Sequence, residues 1–147
     1  MPRVRNQIAS ERRKARHYAL QALYKWHLVG GDPETIIAEF RDDYNFKNVD
    51  LEFFDSVLHS ILGSIQELED ILEPILDRGL DELDPVERAV LRLGTYELLE
   101  REDVPYKVVI NEAVALAKKF GSTDSYKYVN GVLDRIARSL RFEEIES

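Results

Sequence analysis

Cysteine is absent from the 147-residue chain. Disulfides, thiolate metal sites and cysteine nucleophiles are thereby excluded, which suits a reducing compartment such as the cytoplasm. Long apolar runs are also absent, so no segment is expected to cross a membrane. The basic start has no apolar stretch behind it and does not read as a secretory signal. The seven glycines are scattered, with no phosphate-loop or dinucleotide spacing. His17, His27 and His59 are the three histidines. None stands at a metal-ligand spacing from another histidine or an acid, and they read as structural. Adjacent acids such as Asp42-Asp43 and Glu143-Glu144 diverge on a helix and read as solvated surface. No nucleophile, metal or cofactor signature is left, so no catalytic residue and no cofactor is expected.

What is present is segregated charge. Residues 1–16 hold six bases (Arg3, Arg5, Arg12, Arg13, Lys14 and Arg16) against one acid, Glu11, on a chain whose net charge is −8. Residues 31–103 hold 21 acids and six bases. A guanidinium cluster adds nothing to the solubility of an acidic protein. Its simplest use is a polyanion, and nucleic acid is the first candidate. The acidic middle should repel the same ligand.

Helical signals run almost throughout. A first helix is expected from about Ser10 to Val29, stopped by Gly30-Gly31. Asp32-Pro33 opens a short one to about Phe40. Asp50 caps a long helix carrying Leu51, Phe54, Leu58, Ile61, Ile65, Leu68 and Leu72, which Pro74 ends or kinks. Asp84-Pro85 with Glu87 forms a cap, an N1 proline and a capping-box acid for a helix to about Glu100. Pro105 opens a helix that Gly121 ends, and Ser122 or Thr123 caps the last one, through Leu140. An all-α fold of six to seven helices follows, in one domain or two very small ones sharing a core. The domain is drawn as residues 1–147, with a flexible basic start over about 1–9 and a frayed acidic tail over about 142–147. Asn111, Asn130 and Gly131 interrupt good helix-forming sequence. They read as buried amides bridging helix ends, with close packing at the glycine.

At 100° per residue, Ala15, Tyr18, Ala19, Ala22 and Trp26 fall together on the first helix as a core stripe. Arg13, Arg16, His17, Leu20, Tyr24 and His27 lie opposite, flanked by Arg12. Arginine for phosphate beside an aromatic surface for a base is what single-stranded RNA requires. Periodicity leaves two other readings open. A second helix layer could bury Tyr24 and Leu20, or the basic run could be a solvated arm. A second cluster, Lys118 to Tyr128, joins two lysines, a polar turn and several aromatics. The backbone N–H groups that open its helix could hold a phosphate. Its alternative is an ordinary helix hairpin with Phe120 closing the core.

Three segments, RRKARHYALQALYKW (12–26), DPVERAVLRLGTYELL (84–99) and VPYKVVINEAVALAKKFGSTDSYKYVNGVLDRIA (104–137), resemble the NusB family of transcription antitermination factors. The resemblance covers about residues 12–141. It implies two small packed helical bundles, no enzymatic activity, and binding to boxA single-stranded RNA of ribosomal RNA leader transcripts. The implied partner is NusE, a small-subunit ribosomal protein. Other Nus factors and RNA polymerase are engaged indirectly, and some members form homodimers. Carried over by position, the RNA-binding residues are Arg12, Arg13, Lys14, Arg16, Tyr24, Phe120, Asp124, Lys127 and Tyr128. Asp124 would accept hydrogen bonds from bases, or cap the last helix and shape the turn. Glu87 and Arg88 are the implied partner contacts, on an acidic surface suited to a basic protein. Lys14 stands where arginine is frequent, and Tyr126 and Tyr128 where histidine and phenylalanine are frequent. A NusB-like adaptor acting mainly through protein–protein contacts is the second reading. The helical domain attached to some ribosomal RNA methyltransferases is related, but a stand-alone factor is expected.

Overall fold

The computed structural model describes residues 2–147, with side chains from residue 5 onward. Those residues form eight α-helices and a 3-10 turn, with no strand among them. The helices are α1 (Pro2–Val29), α2 (Pro33–Asp43), α3 (Leu51–Leu62), α4 (Ile65–Leu72), α5 (Pro85–Glu100), α6 (Tyr106–Phe120), α7 (Ser125–Leu140) and α8 (Phe142–Glu146). The 3-10 turn, Leu80–Glu82, precedes α5. The chain divides into two compact units, Met1–Gly63 and Ser64–Ser147.

The first unit is α1, α2 and α3. Helix α1 begins at Pro2 rather than near Ser10. No glycine or proline interrupts residues 3–29, so nothing breaks the helix before Gly30 and Gly31. Both glycines take positive φ, 68° and 114°, and end it. Helix α1 packs on α3 and α2, and α2 packs on α3. Three alanines on α1, Ala15, Ala19 and Ala22, are buried with Leu23, Ile36, Phe40, Phe54, Leu58 and Ile61. Tyr18 stacks on Phe46 at 4.9 Å between ring centroids, and Phe46 meets Phe54 edge-on at 4.9 Å. Asp50 caps α3 as expected, its carboxylate accepting from the Phe53 N–H at 2.9 Å. The single long helix expected from Asp50 to Leu72 is instead two. Gly63 closes α3 and Ser64 leaves helical geometry at φ −140° and ψ 32°. Glycine and serine are both poor helix interiors, and together they stop the run. Pro74 follows a helix already ended at Leu72.

His59 is exposed on α3. Its Nδ1–H donates to the Asp55 carbonyl at 2.7 Å and its Nε2 meets Glu34. The backbone bond, then the carboxylate, raise its pKa above the ordinary value.

The second unit is organised around α5, which packs against α4, α6 and α7. Every residue from Leu91 to Leu98 is buried. Asp84 caps α5 with its carboxylate on the Val86 N–H at 2.7 Å, and Glu87 completes the capping box. Most charged residues of this helix turn inward, and only Glu100 at its end is exposed. Glu69 Oε2 accepts from Arg88 at 2.8 Å and from Arg92 at 2.8 Å. Burial pushes the Glu69 carboxyl up, but the two guanidinium groups outweigh it and hold it below the usual carboxylate range. At the far end of α5, Arg141 is buried against the Glu97 and Leu98 carbonyls. Residues 142–146, expected as a frayed tail, form α8, and Glu144 accepts from both Arg141 and the Tyr106 N–H.

The glycine that permits close packing is Gly94, not Gly131. A Cβ on Gly94 would stand 2.7 Å from Leu133 Cδ1 and 3.0 Å from Cδ2, whereas one on the exposed Gly131 would meet nothing within 4 Å. Asn111 and Asn130 are likewise exposed rather than buried. They sit on the outer faces of α6 and α7, where a polar amide needs no bridging role. The two glycines therefore respond oppositely to alanine. Gly131→Ala gains helix propensity and should stabilise by up to about 1 kcal/mol. Gly94→Ala must displace a fully buried leucine and should destabilise by about 1–2 kcal/mol net. Denaturant melts of both variants check the pair, and equal signs would refute it.

Candidate nucleic-acid interface

The basic opening lies along one turn of α1 after another, but its members do not share one environment. Arg13, Lys14 and Tyr24 are exposed. Arg16 is 3% exposed, and its guanidinium lies over the Phe53 ring at 4.9 Å. Arg12 is only partly exposed. It lies over the same ring at 4.9 Å and reaches Asp50 at 3.5 Å. The Asp50 N–H donates to the Glu11 carbonyl at 3.1 Å, tying the start of α3 to α1. Arg3 lies outside the residues whose side chains are described.

The wheel reading is corrected here. Leu20 is buried with Arg16, while Tyr18 and Trp26, assigned to the core stripe, are only half-buried. The buried arc of α1 is centred nearer Leu23 than Ala15. Arg13, His17 and Tyr24 remain on the outward side, with His17 half-buried. The second-layer alternative therefore holds for Leu20 and fails for Tyr24, which is 38% exposed.

The turn between α6 and α7 carries the second cluster. Helix α6 ends on exposed Lys118 and Lys119, then half-buried Phe120. Asp124 takes φ 74° and is the N-cap of α7, in place of Ser122 or Thr123. Its side chain makes no capping bond. It faces Lys127 at 3.4 Å, so the residue shapes the turn through its backbone. Left-handed backbone is rare outside glycine but asparagine and aspartate tolerate it best. Each aromatic of the turn has a cation over its ring. Lys118 lies 4.8 Å from the Tyr126 centroid, Lys119 lies 5.4 Å from Phe120, and Arg78 lies 4.3 Å from Tyr128. The Tyr128 hydroxyl donates to Asp77 at 3.0 Å. Partial burial and then that carboxylate raise the tyrosine pKa. The α6–α7 turn is thus a basic, aromatic and partly exposed surface. Such a surface can hold phosphate by charge and a base by stacking.

Glu87 and Arg88 sit at the start of α5, and both are engaged within the second unit. Glu87 is buried and accepts from the Ser125 hydroxyl at 2.6 Å, linking α5 to the first residue of α7. Arg88 bridges Glu69 and the fully exposed Asp81, the latter at 3.3 Å. Among the described residues no group of three histidine or acidic side chains could hold a metal ion, and no helix is long and apolar enough to cross a membrane.

Residues 13–138 match the NusB family. The chain belongs to the NusB family. It is 55% identical over 135 residues to the transcription antitermination protein NusB of Alcanivorax borkumensis, an alignment covering 92% of this chain and 90% of that one. Among solved structures, T. maritima NusB superimposes with a TM-score of 0.81 at 34% identity, covering 92% of this chain and 96% of that one. A crystal structure of the antitermination factors NusB and NusE in complex with double-stranded RNA also matches. Its TM-score is 0.79 at 34% identity, with 86% of this chain and 96% of that chain covered. The all-α expectation stands, with eight helices in place of six to seven. The added helices are the piece cut off at Gly63 and the short α8.

Neither helical periodicity nor the resemblance to the NusB family marks Asp77 or Arg78. A signal existed: Arg78 is one of only six bases among 21 acids over residues 31–103. Nothing in linear order, however, brings it near Tyr128, 50 positions away.

Proposed function

We propose that this protein is an RNA-binding transcription antitermination factor. It binds boxA RNA of ribosomal RNA leader transcripts together with NusE, and it supports processive transcription by RNA polymerase in the cytoplasm. The observation that carries this reading is the exposed Arg13 and Tyr24 on one side of α1, with exposed Lys14 beside them, on a chain whose residues 31–103 are strongly acidic. Membership of the NusB family, and a relative crystallised with NusE and RNA, support it. In this reading Arg13 and Lys14 meet phosphates and Tyr24 offers a stacking surface. Arg12 and Arg16 brace α1 against Phe53 and lend their charge to the same field. Phe120, Asp124, Lys127 and Tyr128 form the contact at the α6–α7 turn. Asp124 sets its shape and Lys127 adds positive charge.

NusE, a basic ribosomal protein, suits the acidic middle of the chain. Glu87 and Arg88 serve that contact by fixing the start of α5, and exposed Asp81 beside Arg88 gives the partner an unburied carboxylate.

Fluorescence anisotropy with a labelled boxA single strand, a scrambled strand and a boxA duplex tests the reading, with and without NusE. The boxA single strand should bind tightest, NusE should tighten it further, and log affinity should fall linearly with log salt. Equal affinity for boxA and scrambled strands in the presence of NusE would sink the assignment. Capture of NusE without any RNA dependence would leave a protein adaptor in its place.

A further inference from the structure

The turn at residues 74–79 follows α4 and presents a side chain that the family resemblance did not assign. Arg78 is 40% exposed, and its guanidinium lies 4.3 Å from the centroid of Tyr128. Tyr128 is half-buried, so the arginine is the outer member of the pair. One carboxylate orients both. Asp77 Oδ1 accepts from Arg78 Nε at 2.9 Å and from the Tyr128 hydroxyl at 3.0 Å. Such a tether holds the guanidinium in place over the ring instead of letting it sweep through solvent. Using Nε on Asp77 leaves the terminal N–H groups of the fork for an outside acceptor. An ordered guanidinium plane can stack under a base and donate to phosphate at once.

We propose that Arg78 is an RNA-contacting residue, its guanidinium forming the outer plane on which a base of the bound RNA stacks, with Tyr128 behind it and Asp77 holding both. The assignment rests on the RNA-binding reading above and deepens it. It changes the role of Tyr128, which supports the stacking surface on this face instead of being that surface. Lys127, one residue before Tyr128 and exposed, supplies charge to the same patch.

The test is a titration of the labelled boxA single strand across a salt series, using the unaltered protein, Arg78→Ala, Arg78→Lys and Tyr128→Phe. Arg78→Ala should weaken binding about tenfold and reduce the log–log salt slope by about one. Arg78→Lys keeps a charge but loses the plane, so its slope should stay near that of the unaltered protein while affinity drops several-fold. Tyr128→Phe keeps the ring, so it should lose less than Arg78→Ala. Arg78 is exposed on a turn, and thermal melts of its variants should match the unaltered protein. If the unaltered protein prefers boxA and Arg78→Ala binds it equally well, the Arg78 assignment falls and the RNA-binding reading survives. A loss confined to Tyr128→Phe would also overturn it. If the unaltered protein shows no preference, both fall together.

Discussion

Arg141→Met is expected to cost on the order of 3–5 kcal/mol of folding stability. The arginine stands one residue past the end of α7, yet it is 6% exposed. All five of its N–H donors are used. Nε donates to Leu98 O at 2.7 Å, one terminal nitrogen to Val104 O at 3.0 Å and Glu144 at 2.6 Å, and the other to Glu97 O at 3.0 Å and Arg101 O at 2.9 Å. Two of those carbonyls belong to the last turn of α5, where no intrahelical donor is left for most oxygens and the dipole favours a cation. The other two belong to the connection leading to α6. One side chain therefore closes the C-terminus of the central helix and holds the next loop against it. Methionine keeps much of the volume but strands the Leu98 and Val104 carbonyls, while Glu97 and Arg101 keep the backbone N–H groups of Arg101 and Val104. Lysine offers one nitrogen in place of a fork and should recover only part of the loss. For a chain of this size the drop corresponds to a melting-temperature shift of about 10 °C. Thermal melts followed by far-ultraviolet circular dichroism read it directly. A shift within about 2 °C would show that these bonds contribute little.

The second large effect concerns α1 and separates two arginines that are three residues apart. Arg13→Glu combined with Lys14→Glu should weaken binding to the boxA single strand about 100-fold at low salt and flatten the salt slope, with melting unchanged. Both side chains are exposed, so reversal alters the field without touching the core. Arg16→Glu should behave differently. It would put a carboxylate beside the Phe53 ring in a 3% exposed position, and the protein should lose its fold before RNA affinity can be read. Arg16→Met keeps the apolar stem over Phe53 and is the variant to use for RNA titration. If the Arg13 and Lys14 double reversal binds as tightly as the unaltered protein, α1 does not carry the RNA face.

The contrast between Arg13 and Arg16 shows where sequence reasoning stops. Periodicity orders residues around a helix axis, but it says nothing of where neighbouring helices lie around that axis. A stripe drawn through Ala15, Ala19 and Ala22 lies off the centre of the buried arc, because alanines mark where helices can come close and not the centre of the contact. Large residues such as Leu20 and Leu23 reveal that centre only once α3 is in place. Arginine compounds the error, since its long apolar stem can be buried while it still counts as charge in a sequence. Asn111, Asn130 and Gly131 failed for a related reason. A poor helix former in a helical pattern suggests burial, yet each of the three is on an outer face where its small propensity cost is tolerated.

Local chemistry, in contrast, was legible. The Gly30-Gly31 stop, the Asp50 cap and the Asp84-Pro85 capping box with Glu87 all follow from short-range sterics and hydrogen bonding that a sequence displays directly. So were the all-helical class, the basic opening and the basic, aromatic α6–α7 turn, because composition and spacing suffice for them. Only the tertiary structure decided which arginines face outward. It alone turned Glu87 inward onto Ser125, closed α5 with Arg141 and laid Arg78 over Tyr128. Those pairings join residues 38 to 50 positions apart. They exist because the helices that carry them are packed together, and no local rule encodes that.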